Sequence, residues 1–119
     1  MSAAPSAAAS QPGAGQSAAA LASAWRIVFC EWFGVTRATA ELLSVLYAAQ
    51  GELRTGAELA RSAGVASGAI HYHVHKLRAA LESEALDTGP EGGYRLTEEG
   101  LAECRAALRA LAHELAGAP

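Results

Sequence analysis

Apolar side chains recur at steps of three and four along most of this chain, the spacing by which a helix buries one face. Leu21, Trp25, Val28 and Trp32 make the first such stripe, which ends near Gly34. The run WRIVF inside it also has the composition of a strand. A second helix is predicted after Thr36, with Leu42, Leu43, Leu46 and Tyr47 on its inner face and a stop at Gly51. Thr55 followed three residues later by Glu58 has the form of a capping box, whose hydroxyl and carboxylate satisfy the free amides of a helix start. A short helix is therefore predicted from about Gly56 to Ser62. Gly64 permits the left-handed backbone of a tight helix-to-helix turn, Val65 is placed to plug the core, and another helix is expected to begin near Ser67 as its N-cap.

The stretch IHYHVHKL, Ile70 to Leu77, holds three of the four histidines, spaced every second residue. Strand alternation fits Ile70, Tyr72 and Val74 but fails at Lys76 and Arg78, whereas helical spacing fits Ile70, Val74, Leu77 and Leu81 over three turns. The helix is the better reading. On it His71, Tyr72, His75 and Arg78 lie on or beside the outward face, and His73 sits at the flank. Two helices joined by a glycine turn, the second presenting Ser67, His71, Tyr72, His75 and Lys76, form a helix-turn-helix able to enter a DNA major groove. Leu86–Thr88, the turn-rich GPEGG and Tyr94–Thr97 then read as a β-hairpin, in the place of the wing of a winged helix. After Thr97, Leu101, Cys104, Leu108, Leu111 and Leu115 make a narrow seam along a final helix. By this reading a core of three helices and a hairpin is complete without either terminal stripe, so both are free to pair with each other or with a second copy.

Residues 1–20 contain only Ala, Ser, Gly, Pro and Gln after the initial Met and no charge. Such a segment cannot offset its ordering entropy by burial and is expected to be a disordered tail. That leaves 21–117 as one domain, as a length of 119 residues also suggests. The expected fold class is mainly α with a small β-hairpin, a winged helix-turn-helix with extra N- and C-terminal helices.

Overall charge is −3, which argues against a protein that coats nucleic acid through bulk charge. The distribution points the other way. Between Arg54 and Arg78 four basic residues (Arg54, Arg61, Lys76, Arg78) face one acidic residue, Glu58, while the remainder of the chain holds five basic and eleven acidic residues. Positive charge is thus concentrated where phosphates would lie. Cys30 and Cys104, isolated and without a CxxC spacing, read as reduced, buried thiols. The chain shows no targeting segment, and Arg26, Glu31 and Arg37 interrupt its longest apolar stretch, so a cytoplasmic protein without a membrane contact is expected.

Other chemistries find less support. His71 and His75, four apart on one face, could hold Zn²⁺, Ni²⁺ or Cu²⁺, but two ligands do not make a site and no neighbouring carboxylate or thiol completes one. No metal and no cofactor are expected. An enzyme would need a nucleophile with a base, or a paired carboxylate, and the sequence offers neither. GPEGG lacks the GK[ST] ending of a phosphate loop.

The segment ELARSAGVASGAIHYHVHKLRAAL resembles the helix-turn-helix of the MarR and ArsR groups, with Ala60, Gly64, Val65, Ile70, Val74 and Leu77 at matching intervals. Leu77-Arg78, Leu81 and Gly93-Tyr94-Arg95-Leu96 are similar to the recognition-helix end and wing of OmpR-type output domains. The resemblance spans roughly Thr36 to Thr97. It implies a sequence-specific DNA-binding transcriptional regulator with duplex DNA as partner and a contact with the transcription machinery. Ser67, His71, Tyr72 and His75 would face base edges, Lys76 and Arg78 the backbone or groove edge, Arg54 and Arg61 flanking phosphates, and Arg95 the minor groove. MarR-group proteins dimerise through helices at both ends, so the resemblance also implies a homodimer, with Trp25, Trp32, Leu108, Leu111 and Leu115 at the interface. The alternative is a protein-binding adaptor on the same scaffold, in a transcription, phage or DNA-processing complex, contacting its partner through the acidic surface.

Overall fold

A computed structural model describes residues 14–82 and 84–117, with side chains described for 23–82 and 84–114. Its elements are α1 (Ala14–Phe33), α2 (Arg37–Ala48), α3 (Gly56–Ala63), a 3₁₀ turn at Ser67–Ala69, α4 (Ile70–Ala80), β1 (Leu86–Thr88), β2 (Tyr94–Leu96) and α5 (Glu98–Gly117). The chain is thus mainly helical with one small antiparallel hairpin, in which Leu86 pairs with Leu96, Asp87 with Arg95 and Thr88 with Tyr94. Among the described residues no helix is long and apolar enough to cross a membrane.

Local signals account for most boundaries. Thr36 caps α2 by accepting from the Thr39 amide, and Thr55 and Glu58 form the reciprocal capping box of α3. That box holds the Glu58 carboxyl below its ordinary pKa, chiefly because the Thr55 backbone amide donates to it. Gly64 ends α3 at φ +71°, a conformation that a side chain would strain. Thr97 opens α5, its hydroxyl accepting from the Gly100 amide. A Cβ at Gly100 would collide with the Ala85 carbonyl, where the first turn of α5 presses on the bend leading into β1.

Three boundary expectations are corrected. The first helix begins at Ala14 and not at Leu21, so the 14–20 part of the segment read as a disordered tail is helical; its alanines carry the best intrinsic helix propensity. The 1–13 part of that reading lies outside the described residues. Ser67 does not cap a helix: the 3₁₀ turn follows Ala66 without a side-chain cap, and α4 proper starts at Ile70. Leu81 continues the α4 stripe in burial but already has extended backbone, since α4 ends at Ala80.

α2 is the central element. Thr39, Ala40, Leu42, Leu43, Ser44, Leu46 and Tyr47 are buried along it, and it packs on α1, α3, α4 and β2. Leu42, Leu43, Leu46, Leu59, Leu77 and Leu96 are fully buried, each worth about 2–3 kcal/mol relative to exposure. The terminal helices pack on each other within the chain and belong to this core. Val28 and Phe29 of α1 and Leu101, Cys104 and Ala107 of α5 sit in the same cluster. The reading that three helices and a hairpin suffice is therefore corrected.

Candidate functional site

α4 is held in place on one side and free on the other. Ile70, Val74 and Leu77 are buried, as their spacing requires, and His73 is buried with them. Its Nδ1 lies 2.8 Å from the Thr39 hydroxyl of α2, a hydrogen bond that ties the two helices inside the core. The flank position expected for His73 is thus corrected. Position 73 is three residues after Ile70 and four before Leu77, so the helical stripe itself contained the signal.

The outer side presents His71, Tyr72, His75 and Lys76, all exposed. Tyr72 is 55 % accessible, and the Lys76 ammonium lies 5.4 Å from its ring centroid, a cation–π contact. No acidic residue occurs from Ile70 to Leu81. Ser67 is exposed in the 3₁₀ turn preceding α4, and Arg61 is exposed in the last turn of α3.

The other cations expected at the site are engaged in the fold. Arg78 donates to the Leu86 carbonyl at 3.1 Å and to the Thr88 hydroxyl at 2.6 Å, pinning β1 to α4. Arg95 pairs with Asp87 across the hairpin at 3.0 Å. Arg54 forms an isolated bridge with Tyr94 and an ion pair with Glu52 at 3.0 Å, adding a short third rung beside β2. The side-chain partners are 2 to 10 residues away, close enough in sequence to suspect, but only the hairpin register shows which oxygens are used. His71 reaches the hairpin as well, its Nδ1 3.2 Å from the Tyr94 hydroxyl.

Among the described residues no group of three or more His, Cys, Asp or Glu gathers as metal ligands. Cys104 is buried as expected, whereas Cys30 is only half-buried, at the end of α1 where its thiol donates to the Val35 carbonyl, which corrects the expectation that both are buried. Of the residues expected to anchor a dimer, Trp25 is half-buried with its ring edge-on to Tyr47 at 4.9 Å, and Leu108 and Leu111 pack on the core. Trp32 is 52 % exposed. It lines a shallow groove between α1 and α5 together with Ile27, Val28 and Leu111. The Leu115 side chain lies outside the described ones. No protein-family model, curated protein or solved structure matches this chain.

Proposed function

We propose that this chain is a winged helix-turn-helix regulator that binds duplex DNA in a sequence-specific manner, with α3 and α4 as the helix pair, β1–β2 as the wing and α4 as the reading helix. The observation that carries the reading is the outer surface of α4. It offers aromatic, imidazole and ammonium groups without a carboxylate, on a helix whose opposite face is locked by Ile70, His73, Val74 and Leu77. A rigid helix with polar groups of this kind can enter a major groove and place side chains against base edges. Tyr72, Lys76 and Ser67 would read bases and Arg61 would meet a flanking phosphate.

Selection of bound sequences from random duplex DNA tests this, and enrichment of a defined site is expected. Arg61→Ala should weaken binding to every sequence and lower the slope of log K against log salt by about 1. Tyr72→Ala should instead change sequence preference, by about 1–3 kcal/mol at the affected base. The adaptor reading draws on one observation, the neutralisation of Arg95 by Asp87 beside Glu91 at the hairpin tip. Absence of enrichment together with salt-independent binding would select it.

The regulator reading includes a homodimer that sets two copies of α4 on successive major grooves about 34 Å apart. Ile27 and Trp32, respectively 57 % and 52 % exposed, are the exposed large apolar groups of α1 among the described side chains and would serve it. A dimeric mass at micromolar concentration is expected, falling to a monomeric one in Ile27→Glu with Trp32→Glu while helical content is unchanged. A monomer in the intact protein removes the dimer and leaves single-site binding to be measured.

A further inference from the structure

The outer surface of α4 divides into two flanks. At 100° per residue His71, His75 and Arg78 share one, and Tyr72, Lys76 and Ala79 the other. Tyr72, Lys76 and Ala79 border a hollow against the α1–α2 loop. His71, His75 and Arg78, with Val74 beneath them, face the hairpin across a groove of about 320 Å³ closed on the far side by Thr88 and Tyr94.

The electrostatics of this groove differ from those of the rest of the hairpin. Arg54 and Arg95 each contact a carboxylate, Glu52 and Asp87. Arg78 is held by two neutral oxygens, the Leu86 carbonyl and the Thr88 hydroxyl. Its guanidinium is therefore oriented without being neutralised, and a guanidinium carries five N–H donors, more than those two contacts use. The Tyr94 hydroxyl orients the His71 ring through Nδ1 and leaves Nε2 without a partner among the described residues. His75 is exposed on the same flank. No carboxylate lines the groove: Asp87 is engaged by Arg95, Glu58 of α3 is engaged in its capping box, and Glu91 stands at the hairpin tip. The donors of α4 thus converge on a space that lacks a carboxylate.

We propose that this groove is a phosphate site that takes one phosphodiester of the DNA backbone, with Arg78 as the fixed cation and His71 and His75 as proton-dependent donors. The proposal rests on the duplex-DNA reading and changes it in one respect: His71 and His75 hold the backbone and do not read bases. Charge-assisted bonds to phosphate are stronger than neutral ones, so each imidazole contributes most when protonated. Imidazole ordinarily titrates near pH 6.5. A ring whose proton is held ten times more tightly in the complex tightens binding about fourfold between pH 7.5 and 6, so two rings give more than about tenfold.

Two measurements on the full chain test it. Sulfate, a tetrahedral oxyanion whose charge is constant over this pH range, is added against sodium chloride of equal ionic strength while the imidazole NMR resonances are followed. His71 and His75 should shift and saturate, while His73 in the core and His113 on α5 stay in place. Rings that do not move, or four that move alike, overturn the site. Duplex affinity is then compared at pH 7.5 and 6 for the intact protein and for His71→Gln with His75→Gln. The intact protein should tighten more than about tenfold. The variant should be flat with pH, with a smaller salt slope and an unchanged order of preferred sequences. A changed order of preference with a flat pH response in the intact protein overturns the proposal and leaves the DNA reading standing. Saturable shifts with sulfate but no duplex binding uphold the oxyanion site and reject DNA as its source.

Discussion

Phe29→Ala is expected to remove about 3–5 kcal/mol of unfolding free energy, the range for truncating a fully buried aromatic side chain. Phe29 has no exposed surface. It meets Tyr47 of α2 edge-on at 5.9 Å and Phe33 at 6.0 Å, and Tyr47 in turn takes the Trp25 ring. The substitution therefore empties the middle of the aromatic cluster that fastens α1 to α2, where backbone on both sides is helical and poorly able to collapse into the space. Domains of this size have about 5–15 kcal/mol in total, so the variant should unfold at a much lower urea midpoint. Trp32→Ala, about one turn further along α1 and 52 % exposed, should cost under about 1 kcal/mol. Equal losses in the two variants would mean that α1 docks through another face.

Alkaline pH should destabilise the protein through Cys104. Burial pushes this thiol up to about 12, with the neighbouring Glu103 carboxylate adding to the rise and Arg105 opposing it, against an ordinary value of 9.0. The folded value lies above the unfolded one, so the folded state favours the protonated thiol. Stability is then fully present below pH 9 and declines as pH rises from 9 toward 12. The slope is about 1.4 kcal/mol per pH unit, roughly 4 kcal/mol across the window. Urea midpoints measured from pH 8 to 11 should fall more steeply in the intact protein than in Cys104→Ala, since other alkaline titrations are common to both. Parallel curves would show that the thiol ionises without opening the α1–α5 contact.

Both effects originate in helices that the spacing of leucines and tryptophans identifies but does not orient. The stripe Leu21, Trp25, Val28, Trp32 is correct as a helix and misleading as a list of buried residues. Phe29 lies one step around the wheel from it and is the residue that meets α2. Trp32, on the stripe, projects at the α5 edge. Periodicity specifies a face to within about one residue, and which member of that face reaches the core depends on where the next helix lies.

Short-range chemistry determined much of this protein from the sequence alone. The Thr55–Glu58 box, the left-handed turn at Gly64 and the steps of the Ile70–Val74–Leu77 stripe depend on groups within four residues of each other, and the two strands flanking GPEGG on groups within ten, whose geometry backbone stereochemistry limits to a few forms. Tertiary structure decided the pairings. Thr39 and His73 are 34 positions apart and meet because α4 crosses α2. Arg78 is spent on β1 and left unneutralised, whereas Arg95 is neutralised by Asp87, and only the hairpin register separates these outcomes. Charge counting treats all such arginines alike, because sequence records which charges exist while distance decides which of them cancel.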